Sequence, residues 1–376
     1  MKRSRWLTLG VAAATTAMAL AACAPPEKDK TDNTTSSGVD AAKATSVADF
    51  GTMDDLVKAA QAEGELNVIA LPPDWANYGE IITAFSDKYG IKVNSAQPTA
   101  ASQDEINAAN QLKGTNRAPD VFDLGQSVAL ANTALYAPYQ VATWADIPDA
   151  FKDANGAWVN DYGGYMSIGY DSAKVPDVTS VADLLGPDFK GKVALNGDPT
   201  QSGAAFSGVM MASIANGGSA DDIAPGVDFF KKLKQAGNFL PVDPDSSTIE
   251  AGTTPVVIDW DYLGAAAAKN VPTWKTVVPP EAVVAGYYYQ AINVDAPHPA
   301  AARLWEEFLY SDEGQNLWLK GGARPVRGDA MAQAGTIDEA LWSALPEVSG
   351  TPVIPSVDQT TKAAAYLADN WAKAVG

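Results

Sequence analysis

Apolar positions fall in short runs along this chain, and the runs alternate between two periods. Glu65 to Leu71 is a compact apolar run of strand length, closed by Pro72-Pro73. From Glu80 to Tyr89, Ile81, Ile82, Phe85 and Tyr89 share one helical face, and Gly90 follows where a helix is closed. Ile91–Val93 reads as the next strand. Ser102-Gln103-Asp104-Glu105 opens a helix with a capping pattern, and Pro119–Leu124 is a third strand. Strand, helix, strand, helix, strand at this spacing predicts a parallel sheet with covering helices.

The alternation resumes further along. Strands are expected at Tyr165–Tyr170, Lys192–Asn196, Thr254–Trp260 and Tyr287–Val294. "PTQSGAAFSGVMMASIA" reads as a loop followed by a helix. Further helices are expected at Val227–Gln235, Tyr262–Lys269, Ala300–Leu309 and Asp312–Leu319, and in the C-terminal tail. No internal repeat is visible. About 330 residues remain beyond the N-terminal region, too many for one usual core and suited to two domains.

The N-terminal region reads differently. Lys2, Arg3 and Arg5 precede an apolar stretch from Trp6 to Leu20. That stretch falls short of the roughly 20 residues a membrane span needs, and with small residues behind it forms a secretory signal over residues 1–22. Leu20-Ala21-Ala22-Cys23 resembles the bacterial lipobox, and Cys23 is the single cysteine of the chain. The resemblance implies that Cys23 is diacylated and becomes the new N-terminus. An ordinary signal peptide with an incidental cysteine is the competing reading, and the residues before, at and after position 23 favour the anchor. Residues 23–45, rich in Pro, Ser, Thr, Asp and Lys, read as a flexible tether. Asn33-Thr34-Thr35 matches a glycosylation sequon and is taken as chance.

The formal charge of −19 becomes −22 once the three basic signal residues are removed. Such a body repels nucleic acid and anionic head groups, so the lipid has to do the membrane holding. With no cysteine beyond Cys23, disulfides, thiol catalysis and zinc–thiolate sites are excluded from the body. Of the ten tryptophans and thirteen tyrosines, core packing accounts for some and an aromatic-lined site could account for others.

Candidate chemistry is sparse but pointed. "GPDFKGKV" has P-loop spacing, yet Val193 stands where Ser or Thr should bind magnesium, Pro187 interrupts the loop, and a strand follows it rather than precedes it. The energy source is therefore expected on a separate ATPase subunit, and no cofactor is expected here. His298, the one histidine, sits between two prolines and is expected at the surface without a catalytic role. In Asp259-Trp260-Asp261-Tyr262, strand alternation puts both acids on one side, and a strand end can turn all four toward a cleft. Carboxylates beside an aromatic face suit an organic cation. Tyr288 and Gln290 share one side of the later strand, Tyr287 and Tyr289 the other. Trp75, Asn77 and Tyr78 follow the first strand, at the edge where open α/β sheets bind ligands. Ser102, and Gln126 with Ser127, occupy the equivalent loops after the second and third strands. Thr200, Ser202 and Gly203 offer hydroxyls and N–H groups before a helix and suit a carboxylate, phosphate or phosphonate, or simply cap the helix.

From Asp295 to Arg327, "DAPHPAAARLWEEFLYSDEGQNLWLKGGARPVR" resembles the C-terminal signature of extracellular solute-binding proteins of ABC importers. "DLLGPDFKGKVAL", "DPTQSG" and "GTTPVVIDWDY" also stand where that family would place them, and the likeness runs from about Ser46 to Gly376. The subgroup it looks like binds polyamines, thiamine or ferric iron. The resemblance implies an α/β, two-lobed periplasmic-binding-protein type II fold. Each lobe would be a mixed sheet flanked by helices, with the ligand cleft between them. Residues 46–160 plus 278–320 would form lobe one, and 161–277 plus 321–376 lobe two. Aligned on Asn293-Val294, Gln290 falls where polyamine binders usually carry an acid, and Tyr288 where they carry an aromatic residue.

The expected function is capture of a small polar solute, an organic cation or zwitterion, by lobe closure, with delivery to an ABC permease. The protein would be anchored through Cys23 on the extracytoplasmic side of the membrane. Trp260 and Asp261 are expected to face Trp75 and Tyr78 across the cleft, with Tyr262, Tyr288 and Gln290 nearby. Ferric iron or a phosphonate are alternative cargoes. A secreted hydrolase using Asp259 and Asp261 is the rival class, but residues two apart on one strand cannot flank a bond from opposite sides. An adhesive lipoprotein without a deep cleft is a third reading.

Overall fold

A computed structural model describes residues 38–345 and 348–376; the expected signal, Cys23 and most of the tether lie outside them. Among the described residues ten strands are present: β1 (Glu65–Ile69), β2 (Lys92–Ala96), β3 (Val121–Leu124), β4 (Tyr136–Ala137), β5 (Val159–Asp171), β6 (Val193–Leu195), β7 (Val256–Trp260), β8 (Trp274–Val277), β9 (Ala285–Asn293) and β10 (Arg324–Pro325). No described helix is long and apolar enough to cross a membrane.

β1 and β2 pair in parallel, as the alternation predicts. β3 does not complete a three-stranded parallel sheet with them. It pairs antiparallel with β9, Asp123 opposite Gln290, and touches β1 through the Asp120 N–H to Asn67 carbonyl bond of 2.9 Å. The reason is that β9 returns late in the chain, where no local pattern can show which strand it will join.

β5 is the strand that joins the two halves. Residues 159–165 pair with β9, and residues 166–170 pair with β7, which continues in parallel to β6. The change of partner follows an irregularity between Asn160 and Gly163. Glycine is required there, because a Cβ on Gly163 would lie 2.3 Å from the Gly286 carbonyl oxygen. The result is a mixed sheet on each side of the crossover, with helices packed over both, in two lobes.

One continuous core runs through both halves, with large side chains packed on each side of the crossover. Phe85, Trp305 and Phe308 pack edge to face in the first, with Phe85 and Trp305 5.1 Å apart at their centroids. Phe230 packs on Phe229, Phe239 and Trp371 in the second. Each such fully buried side chain stabilises the fold by about 1.5–3 kcal/mol. The final residues divide between the two. β10 pairs with β5 at Gly163 and Tyr162, and Arg327 bonds Asp146 at 2.7 Å. The helix Val357–Val375 places Trp371 on the second-lobe Phe230.

Two further expectations change. His298 is buried, not at the surface: its N–H donates to Asp120 Oδ1 at 2.6 Å and its Nδ1 lies 2.9 Å from Oδ2 of the same carboxylate. The flanking prolines fix the chain, but Asp120 supplies the partner that makes burial tolerable. The tether also ends earlier than residue 45. Ala41 and Ala44 are buried, and Arg303 donates to the carbonyls of Ala44 at 2.7 Å and Ala42 at 3.0 Å.

Candidate functional site

A cavity of about 480 Å³ opens between the lobes. It is reached by loops at the C-terminal ends of β1, β2, β3, β6 and β7, the edge at which open α/β sheets bind ligands. Asp74, Asp104, Glu105 and Asp123 line it from the first lobe. Asp198, Asp243, Asp245, Glu250 and Asp259 line it from the second. Among the described residues no lysine, arginine or histidine lines it.

The floor is a hydrogen-bonded chain. The Trp75 Nε1–H donates to the Tyr162 hydroxyl at 2.7 Å, and that hydroxyl donates to Asp123 Oδ2 at 2.9 Å. Tyr78 packs edge to face on Tyr162, 6.1 Å between centroids, and Gln290 Nε2 donates to the Tyr78 hydroxyl at 2.9 Å and to Asp161 Oδ2 at 3.0 Å. Glu105 accepts from the Asp123 N–H at 3.0 Å. Asp123 Oδ1 is buried without a protein partner. Burial pushes the Asp123 carboxyl up to about 7, against the pull of the two tyrosine hydroxyls. Burial also holds Glu105 and Asp161 well above the usual carboxylate range, with the Asp123 charge adding to both.

On the facing wall Asp259 is the last residue but one of β7. Asn196 Nδ2 donates to its Oδ2 at 2.6 Å, and the Trp260 N–H to its Oδ1 at 2.8 Å. Burial pushes this carboxyl up to about 7 as well. At the rim Asp245 is different: the Ser247 hydroxyl and Thr248 N–H hold it below its usual value. The site therefore has deep carboxyls that gain from a positive partner and a rim acid that is charged without one.

Of the residues expected to bind, the cavity brings together Trp75, Ser102, Ser202, Gly203 and Tyr288. Trp75 and Tyr288 meet edge to face, 5.6 Å between centroids, and form its aromatic surface. The others stand behind or beside it. Asp261 does not share a side with Asp259, because β7 stops at Trp260 and a helix begins; its Oδ1 accepts from the N–H groups of Tyr165 and Tyr262, each at 3.0 Å. Trp260 and Tyr262 stack at 6.3 Å beneath the surface, and Trp260 meets Tyr288 edge to face at 6.4 Å between centroids, with a 3.4 Å bond to its hydroxyl. Tyr78 and Gln290 are buried parts of the floor network. Asn77 is a turn residue with φ of 70°, bonded to Glu80 and the Leu317 carbonyl. Gln126 donates to the Pro355 carbonyl at 2.9 Å, Ser127 is half-buried outside the lining, and Thr200 is exposed and bonded to Asp198.

Sequence reasoning missed Glu105, Asp123 and Asn196, and passed over Asp259 in favour of Asp261. A signal existed for Asp123, an acid inside the apolar run "PDVFDL". An acid there is costly unless it is paired or functional. For Glu105 none existed, since it reads as an ordinary capping residue.

Comparison with known proteins bears on the family and the fold. A sequence model of the family described as bacterial extracellular solute-binding protein matches residues 119–347. A curated relative, the Fe(3+)-binding periplasmic protein of Serratia marcescens, is 27% identical over 178 residues, which cover 45% of this chain and 48% of that protein. The chain thus spans about half the length of the curated relative it matches. Among solved structures, the ferric binding protein from Campylobacter jejuni superposes with a TM-score of 0.61 at 19% identity, over 82% of this chain and 99% of the other. The periplasmic binding protein AfuA from Actinobacillus pleuropneumoniae, solved with fructose-6-phosphate bound, gives 0.62 at 17% identity, over 83% and 98%. At these identities the structures share the fold.

Proposed function

The chain belongs to the family of bacterial extracellular solute-binding proteins, and from that premise we propose that its cleft captures a small organic cation or zwitterion. One observation carries the reading: nine carboxyl groups line the cavity and no described basic side chain does. A cation entering it releases the deep carboxyls from the cost of burial, since each gains a charge partner in place of water. Trp75 and Tyr288 add π faces, worth about 0.5–2 kcal/mol toward a desolvated ammonium. An anion would meet only repulsion over most of the wall. The N-terminus of the helix Gly203–Ala215, with Ser202 and Gly203 in the lining, supports room for one carboxylate of a zwitterion.

Capture proceeds by closure of the two lobes, and the loaded protein docks on an ABC permease powered by a separate ATPase subunit. Lobe one comprises about residues 46–160 and 278–320 with the β10 stretch, and lobe two about 161–277 with the last helix. Cys23 anchors the protein by lipid outside the cytoplasmic membrane. Family and fold are those of binding proteins, and no reaction is proposed.

Ferric iron is the second reading, favoured by the Serratia relative. Among the described residues no group of three or more His, Cys, Asp or Glu side chains is arranged to hold a metal. The test is a thermal-shift screen of spermidine, putrescine, thiamine, amino-acid zwitterions, ferric citrate and alkyl phosphonates, followed by calorimetry. A melting-temperature rise with the cations or zwitterions is expected. A rise confined to ferric citrate or the phosphonates overturns the reading.

A further inference from the structure

The turn that carries the chain out of β3 touches the second lobe at a single kind of residue. Gly125 precedes the helix Gln126–Ala131, and Gly203 is the first residue of the helix Gly203–Ala215. A Cβ on Gly125 would stand 2.7 Å from the Gly203 Cα and 3.2 Å from its N; a Cβ on Gly203 would stand 2.7 Å from the Gly125 Cα. Carbon atoms in ordinary contact sit at about 3.5–4.0 Å, so a methyl group at either position needs the two backbones to separate by roughly 1 Å. Neither residue has a positive φ, so backbone conformation does not call for glycine at either place. Close approach does.

The position of this contact gives it a consequence. β3 leads from Asp123 on the cavity floor directly into Gly125, whose N–H donates to the Ser102 hydroxyl at 3.0 Å. Ser102, Ser202 and Gly203 all line the cavity. The spacing of the two glycine backbones is thus the spacing of the lobe walls at the base of the site. The next residue, Gln126, reaches the Pro355 carbonyl just before the C-terminal helix, which itself rests on the second lobe.

We propose that Gly125 and Gly203 form a closure seat: contact between their bare backbones sets how near the two lobes come, and with it the width and selectivity of the cavity. This does not depend on which solute binds. An added methyl group at either residue leaves each lobe intact and acts only across the gap.

The experiment uses the full chain carrying Cys23→Ser, with spin labels at Asp87→Cys and Lys231→Cys, exposed positions on helices of the first and second lobes. Interlabel distances are measured by pulsed electron resonance without solute and with spermidine. Gly203→Ala and Gly125→Ala should each lengthen the mean distance by roughly 1 Å or more, with melting temperatures near the parent's. Either variant suffices if the other fails to fold. Where the parent binds spermidine, each variant should bind it about tenfold more weakly. Distances unchanged in folded variants overturn the seat, whatever spermidine does. Lengthened distances with no spermidine binding to any protein leave the seat standing and count against the cation reading instead.

Discussion

The two walls of the cleft hold a deep carboxyl in contrasting ways. Asp123, in the first lobe, accepts from Tyr162, which is itself tied to Trp75 by a hydrogen bond and to Tyr78 by ring packing, and the Asp123 N–H donates to Glu105. Asp259, in the second, has one side-chain partner, Asn196, and the N–H of the next residue. Burial brings both carboxyls to about 7. The contrast teaches that a similar proton affinity can rest on a rigid network or on a nearly free strand end. A change at Asp123 should spread through the floor, whereas one at Asp259 should stay local.

The largest expected effect is at Asp123. Asp123→Asn keeps shape but removes the charge, and a hydrogen bond to a charged group is worth about 1.5–3 kcal/mol. Calorimetry with the best cation from the screen should show a ten- to hundredfold loss, at about 1.4 kcal/mol per decade. Asp259→Asn should lose about tenfold, with a smaller change in melting temperature. Equal disturbance of stability by both would erase the contrast between the walls.

Acid should act on both walls together. A cation needs the ionised carboxyls, so affinity should fall as pH drops below about 7, where Asp123 and Asp259 take up protons. Stability of the empty protein should move the opposite way. These acids hold protons in the folded state that the unfolded chain, at its ordinary carboxylate pKa, has released. Their contribution therefore declines as pH rises from about 4 to about 7. Melting curves without and with the cation at pH 5 and 8 check both slopes.

Asp261→Ala sharpens the comparison from the side. It leaves the buried N–H groups of Tyr165 and Tyr262 unpaired, at about 1–3 kcal/mol, so the melting temperature should fall while affinity stays within roughly twofold. A larger loss of affinity than for Asp259→Asn would return Asp261 to the site. Smallest of all is Thr200→Ala: its exposed hydroxyl bonds only Asp198, and no change in affinity is expected by calorimetry.

What the sequence determined by itself is what local pattern can encode. The apolar runs and caps at Glu65–Ile69, Tyr78–Tyr89, Ser102–Gln111, Ala224–Ala236 and Pro299–Leu309 lie within a few residues of their expected bounds, because periodicity and capping act over one or two turns. The loops after the strands were legible as a candidate binding edge for the same reason, and several of them line the cavity. Tertiary structure decided which side chains reach that edge. Asp259 and Asp261 are two residues apart, and only the break from β7 into a helix turns one into the cavity and the other into a backbone cap. Tyr78, Tyr262 and Trp260 look like ligand-facing aromatics in one dimension, yet they pack on Tyr162 and on one another, since a floor joining two lobes must be filled before it can be lined. The pairing of β3 with β9, 160 residues or so away, placed Asp123 opposite Gln290; such a contact depends on closing a long loop, and no local signal records it.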